Sequence, residues 1–139
     1  MVIRFFILSL VFLTTLKVAA VYFTNFNMFG DEAQYWLWSE SLDFGYFSKP
    51  PLIAWLISFY SWFFGNSFMS LKLMPVFLYF LTSLAVYELC LRLGLKRKDS
   101  VLCFLSFLTM PAVSVSSFFI STDVVLLLFW TLPMIALLN

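Results

Sequence analysis

The chain has 139 residues, of which 63% are hydrophobic and only 11% are charged. Soluble globular domains have about 45–50% apolar and about 25% charged residues, so this composition excludes a water-soluble fold. The 22% of aromatic residues excludes intrinsic disorder, because disordered chains are poor in aromatic side chains. The net charge of +1 gives no basic surface for binding nucleic acid. Because the chain has no histidine, it can form neither a His-based metal site nor a Ser-His-Asp triad. We therefore predict an integral membrane protein without a nucleic-acid partner.

The first apolar run covers residues 5–23 and follows a short start that contains Arg4. A secretory signal peptide also places a basic residue before an apolar run. This run is long for a signal, Lys17 interrupts it, and no clear small-residue cleavage motif ends it. We therefore favour an uncleaved spanning helix, and the signal peptide stays the alternative.

Residues 24–70 form the first predicted loop, and their polar part fits a short helix over residues 31–42. In this interpretation Asp31 is the N-cap residue and Gln34 lies at N3, as in a capping box. The helix carries Tyr35 together with tryptophans, and these residue types favour the boundary between membrane and water. We expect this helix to lie on the membrane surface.

A second helix is predicted over residues 52–64, after the proline pair that ends with Pro51. Proline suits the first turn of a helix because its missing N–H is not needed there. At about 1.5 Å per residue the run is too short for a hydrocarbon core of about 30 Å. It is therefore predicted to be interfacial rather than spanning.

Positive charge sets the predicted topology. Basic loops stay in the cytoplasm, so the cluster at residues 92–98 and the N-terminus should both be cytoplasmic, with two crossings between them. The predicted fold is all-α, a polytopic transmembrane bundle of about four spanning helices with two interfacial helices in the external loop 24–70. The predicted spans are residues 5–23, 71–91, 101–120 and 124–138.

This topology brings acidic residues from separate connections to one membrane face. Asp31 and Glu32 lie in the external loop, and Asp123 precedes the last run on the same side. The simpler interpretation of all three is helix capping or a favourable interaction with the helix dipole. The alternative is an external site in which one carboxylate acts as general base. Lys49 either extends towards lipid headgroups or binds a phosphate, and Lys72 is predicted to extend outward from its helix end.

Two strings in the external loop resemble a known family: GDEAQYWLW at residues 30–38 and GYFSKPPLIAWL at residues 45–56. They look like the first external loop of GT-C membrane glycosyltransferases, and most of all like the bacterial group related to protein O-mannosyltransferases and the lipid A aminoarabinose transferase. The later string STD at residues 121–123 resembles the acid-containing loop between the third and fourth helices of that family.

The resemblance implies transfer of a sugar from a polyprenyl-phosphate carrier to a lipid, glycan or protein acceptor at the outer face of a bacterial inner membrane. Asp31 maps to the general base and Glu32 to its helper. Lys49 maps to the contact with the donor phosphate, and Asp123 maps to an acid that lines the cavity. Tyr35, in the same motif, is assigned to substrate binding.

Two departures limit what the resemblance implies. Ser48 stands where the aminoarabinose transferase branch has a glutamate that helps to hold a metal, so no cofactor is assigned and a divalent cation stays open. Family members are also much longer, and this chain resembles their N-terminal part. It is predicted to be a glycosyltransferase module, for which a missing C-terminal part of a split enzyme is a candidate partner. The alternative is a truncated or non-catalytic membrane protein, either an assembly partner or a remnant.

Overall fold

A computed structural model describes residues 2–24 and 27–138 of the chain. Within these residues there are seven helices and no strand, which confirms the all-α prediction. In chain order the helices are α1 (Val2–Thr24), α2 (Gly30–Glu40), α3 (Leu52–Phe64), α4 (Phe68–Arg92), α5 (Arg97–Thr109), α6 (Pro111–Ser116) and α7 (Thr122–Leu137). The two helices predicted inside the external loop are thus present as α2 and α3.

The start of α2 differs from the prediction by two residues. Phe29 occupies the N-cap position, and the Glu32 carboxylate at N3 accepts a hydrogen bond from the Phe29 N–H at 2.9 Å. The assignments of Asp31 to the N-cap and of Gln34 to N3 are therefore wrong. A glutamate at N3 reaches back to the N-cap amide, which leaves Asp31 in the first turn with no capping hydrogen bond.

Local signals define the ends of α3 and the start of α4. α3 begins directly after Pro51 and ends at Gly65, whose φ of 79° is a conformation that glycine adopts without strain. α4 then begins after Ser67, whose hydroxyl accepts a hydrogen bond from the Ser70 N–H at 3.2 Å. With 25 residues, α4 is long enough to cross a hydrocarbon core of about 30 Å.

The predicted span over residues 101–120 is not one continuous helix, because it is divided in two at Pro111. α5 ends at Thr109, and Met110 has an extended backbone with φ −55° and ψ 129°. A residue before proline is driven out of the helical region by the proline ring, and Pro111 then opens α6. Whether residues 101–120 cross the membrane stays a prediction.

α4 is the central element of the bundle. It packs most extensively against α5 and α7 and also contacts α1 and α3, while α2 packs against α3. The buried core joins the loop helices to the bundle. It consists of Tyr35, Ile53, Ile57, Leu71, Met74, Leu78, Tyr79, Val113, Ile120, Val124, Val125 and Leu128. α2 and α3 are therefore integral parts of this core.

Among the described residues, only α4 is both long and apolar enough to cross a membrane by itself. Three shorter apolar stretches accompany it, at Ile7–Phe23, Leu52–Phe64 and Thr122–Leu137. Many large apolar side chains point outward, including Phe12 and Trp130, each 63% exposed. A helical membrane protein is supported, whereas the number of four spans stays a prediction.

Candidate functional site

The adjacent acids at the start of α2 have opposite environments. The Asp31 side chain is exposed, and no hydrogen bond or ion pair holds its carboxylate within the described part of the chain. The Glu32 side chain is only 2% exposed. This contrast follows from helical geometry, because neighbouring side chains on a helix point about 100° apart. Asp31 is thus the acid that a substrate can reach.

Both carboxylate oxygens of Glu32 are engaged by the protein. Oε2 accepts hydrogen bonds from Lys72 Nζ at 2.7 Å and from the Phe29 N–H at 2.9 Å. Oε1 accepts a hydrogen bond from the Ile120 N–H at 2.7 Å. These contacts place Glu32 between α2, α4 and the turn before α7. The role of Glu32 as helper of the base stays a prediction.

Lys72 points into the bundle, so its predicted extension towards the headgroups is wrong. The residue is 3% exposed, and its ammonium pairs with Glu32 and lies 3.4 Å from the Phe118 carbonyl oxygen. The rings of Phe68 and Phe119 flank it, with centroids 6.0 and 5.8 Å from Nζ. A buried ammonium requires such a counter-charge because desolvation of an unpaired charge is very unfavourable.

An apolar groove of about 390 Å³ lies between the loop before α3 and the start of α7. Lys49 is the one charged residue in its lining. The groove is lined by Lys49, Pro50, Leu52, Ile53, Thr122, Val125, Leu126 and Phe129. A cation beside an apolar wall suits an amphiphile that has an anionic head and a hydrocarbon tail.

The loop that carries Lys49 is braced by two aromatic side chains. The Tyr46 hydroxyl donates to the Trp38 carbonyl oxygen at 2.9 Å, and the two rings stack with centroids 4.7 Å apart. The Trp55 indole N–H donates to the Asp43 carbonyl oxygen at 2.9 Å. These contacts tie the loop to both α2 and α3, and thereby hold Lys49 at the edge of the groove.

Asp123 lies in the first turn of α7, and its side chain is exposed. Ser121 is the N-cap residue, but its side chain makes no capping hydrogen bond. Asp123 directly follows Thr122, which lines the same groove as Lys49. Two explanations fit the position of Asp123 equally well: a favourable interaction with the dipole of α7, and a role at the groove.

Only some of the predicted site residues line the groove. Lys49 and the start of α7 share the groove, whereas Asp31, Tyr35 and Asp123 are not among its lining residues. Tyr35 is 3% exposed in the core, with its ring centroid 5.7 Å from that of Trp38. This placement favours a packing role for Tyr35.

A metal has no ready ligand set in the described part of the chain. No group of three or more Cys, Asp and Glu residues is placed there to hold an ion.

The family of proteins described as dolichyl-phosphate-mannose-protein mannosyltransferases matches residues 48–139, about two thirds of the chain. The chain belongs to this family. The match begins one residue before Lys49 and includes the whole lining of the groove. The resemblance to GT-C glycosyltransferases noted in the sequence is thereby confirmed.

Two relatives carry more specific names. The lipid A galacturonosyltransferase RgtD of Rhizobium johnstonii is 35% identical over 124 residues, which cover 88% of this chain and 26% of the relative. The undecaprenyl phosphate-alpha-4-amino-4-deoxy-L-arabinose arabinosyl transferase of Erwinia tasmaniensis is 35% identical over 74 residues, which cover 53% of this chain and 13% of the relative. The matched region thus spans at most about a quarter of these relatives. No solved structure matches the chain.

Proposed function

We propose that this module of the mannosyltransferase family takes part in the transfer of a sugar from a polyprenyl-phosphate donor to a lipid, glycan or protein acceptor at the outer face of a bacterial inner membrane. The observation that carries the proposal is the position of Lys49 at an apolar groove that is also lined by residues of α7. The groove walls suit the polyprenyl chain, and the ammonium suits the phosphate. The names of both relatives agree with such chemistry.

The proposed reaction uses three side chains of this module. The Asp31 carboxylate removes the proton of the acceptor hydroxyl while that oxygen forms its bond to the anomeric carbon. The bond between the anomeric carbon and the donor phosphate oxygen breaks, and its electron pair leaves with the polyprenyl phosphate. Lys49 stabilises the negative charge that develops on this leaving group. Asp123, beside the groove, is proposed to orient the sugar.

The decisive experiment measures transfer from a polyprenyl-phosphate sugar in membranes that contain the expressed chain, so that a second part of a split enzyme stays present. Lys49→Met should weaken donor binding about 10- to 100-fold, since a hydrogen bond to a charged group contributes about 1.5–3 kcal/mol. The apparent KM for the donor measures this. Lys96→Met, which removes an exposed cation ahead of α5, is the matched control and should leave the KM unchanged. An unchanged donor KM in Lys49→Met would exclude Lys49 as the contact for the donor phosphate.

The proposed orientation, with a cytoplasmic N-terminus and an external loop 24–70, makes a separate prediction. Cysteines are introduced at Ser48 and Lys98, both exposed, after the two native cysteines have been replaced by serine. A membrane-impermeant maleimide should label Ser48→Cys in intact cells, and should label Lys98→Cys only after the membrane is opened. Labelling of Lys98→Cys from outside would contradict the assignment of the basic loop to the cytoplasm.

A further inference from the structure

Glu32 connects three segments that are far apart in the sequence. Its carboxylate bridges the start of α2, Lys72 in the second turn of α4, and the Ile120 amide in the turn before α7. Ile120 lies 88 residues from Glu32, and Lys72 lies 40 residues from it. One buried side chain therefore sets how α2 meets the segment that leads into α7.

Aromatic packing closes the same junction. The Phe29 ring at the start of α2 meets the Phe119 ring edge to face, with centroids 5.1 Å apart. Lys72 reaches the Phe118 carbonyl oxygen of the same turn, and its ammonium lies beside the Phe119 ring. The turn before α7 is thus held to α2 by two kinds of contact, and apolar rings cover the ion pair.

The other ion pair of the described residues lies at the surface rather than in the interior. Glu88 and Arg92, one turn apart near the end of α4, meet at 2.8 Å with side chains 45% and 30% exposed. Such a surface pair forms at little cost, whereas burial of Glu32 and Lys72 requires both charges to be desolvated. A buried pair whose two members are also hydrogen-bonded to the backbone is suited to fixing a geometry.

We infer that Glu32 and Lys72 are positioning residues, which hold the turn before α7 against α2 so that Asp31 and Asp123 stay at one site. Asp31 is the chain neighbour of Glu32, and Asp123 follows Ile120 by three residues, at most about 11 Å of extended chain. The effect on turnover rests on the function proposed above. The contact between Glu32 and Ile120 stands independently of it.

Neither member of the pair is placed to touch a substrate. Glu32 and Lys72 are 2% and 3% exposed, and the Lys72 ammonium is already shared between a carboxylate and a carbonyl oxygen. This excludes Lys72 as a second contact for the donor phosphate in this arrangement and leaves that task to Lys49. The pair acts on the site through the backbone that it holds.

Amide hydrogen exchange of the full chain in lipid nanodiscs tests the contact directly. In Glu32→Gln and in Lys72→Met, exchange at the Ile120 amide should become at least about tenfold faster. Glu32→Gln replaces a charge-assisted hydrogen bond to this amide by a weaker neutral one, and Lys72→Met leaves the accepting carboxylate without the cation that holds it in place. Exchange at the Leu78 amide in the core of α4 reports global opening and should change less. Glu88→Gln, which breaks the exposed pair, is the matched control and should leave the Ile120 amide unchanged. Equal acceleration at Ile120 and Leu78, or none at Ile120, would overturn the inference.

Transfer kinetics test the consequence for the site. Both variants should lower kcat at least about tenfold and leave the donor KM within about threefold, since misplaced reacting groups slow the chemical step more than they weaken donor binding. Lys72→Arg keeps the cation and should recover most of kcat and of the Ile120 protection. If Lys72→Met fails to fold, Glu32→Gln carries the test. A donor KM raised as strongly as in Lys49→Met, with kcat unchanged, would instead assign Lys72 to donor binding.

Absence of transfer in the unaltered chain would defeat the proposed function, while the exchange result would still decide the contact between Glu32 and Ile120.

Discussion

Replacement of Asp31 by asparagine is expected to reduce sugar transfer by about 100- to 10,000-fold, the range that a positioned general base contributes. The amide keeps the size of the side chain but cannot accept the proton of an acceptor hydroxyl. Since Asp31 is exposed and makes no capping hydrogen bond, the fold should change little. The measurement is kcat with a polyprenyl-phosphate sugar donor in membranes, and the loss should appear in kcat rather than in the donor KM.

The chain offers a matched control for this change. Asp99 is likewise an exposed acid in the first turn of a helix, α5, and Asp99→Asn removes the same favourable interaction with a helix dipole. That interaction is worth about 0.3–1 kcal/mol in each case. If Asp31→Asn lowers transfer no more than Asp99→Asn does, then Asp31 serves only the helix, and the general base must be sought elsewhere.

For some helices, the residues at their ends are sufficient to predict the boundaries from the sequence. The prediction for residues 52–64 agrees with α3 because Pro51 before it and Gly65 after it impose the ends through their own backbone preferences. The start of α2 was missed because two adjacent acids compete to cap it. Which of the two acids caps the helix depends on the contacts of Glu32 with Lys72 and Ile120, which are distant from it in the sequence. Helix boundaries set by tertiary contacts of this kind are invisible to spacing rules.

The division between α5 and α6 was missed for a different reason. Residues 101–120 are apolar throughout, so hydropathy gives no sign of a boundary, and proline is often tolerated inside membrane helices. Here the backbone of Met110 is extended, so α5 ends before Pro111 and does not continue through it. Whether a proline bends or ends a helix depends on the packing around it, which one sequence does not reveal.

The candidate site was predicted in part. The charge pattern predicts that Lys49 and Asp123 share one membrane face, and Lys49 lines the same groove as Thr122, the neighbour of Asp123. The orientation of that face in the bilayer stays a prediction. The role of Lys72 was missed. A lysine inside an apolar run signals that a partner is needed, but it does not identify an acid 40 residues earlier in the chain.

Lys72→Met is expected to have the largest effect on stability of the changes considered. Methionine fills a similar volume but leaves the Glu32 carboxylate buried without its cation, and removal of one partner from a buried ion pair destabilises a protein by about 3–5 kcal/mol. The free energy of unfolding in lipid bicelles measures this. Glu88→Gln, in the exposed pair, should cost no more than about 1 kcal/mol.

The double variant Glu32→Gln/Lys72→Met distinguishes two contributions to the free energy of unfolding: the destabilisation caused by an unpaired buried charge, and the stabilisation that the intact pair provides. With no charge left in the junction, its loss of stability should be smaller than the sum of the two single losses by about 1–3 kcal/mol, the coupling typical of residues in one network. The glutamine carbonyl oxygen can still accept from the Ile120 N–H, so part of the junction survives. Strict additivity of the two losses would mean that Glu32 and Lys72 do not stabilise each other, and would contradict the 2.7 Å ion pair as a structural unit.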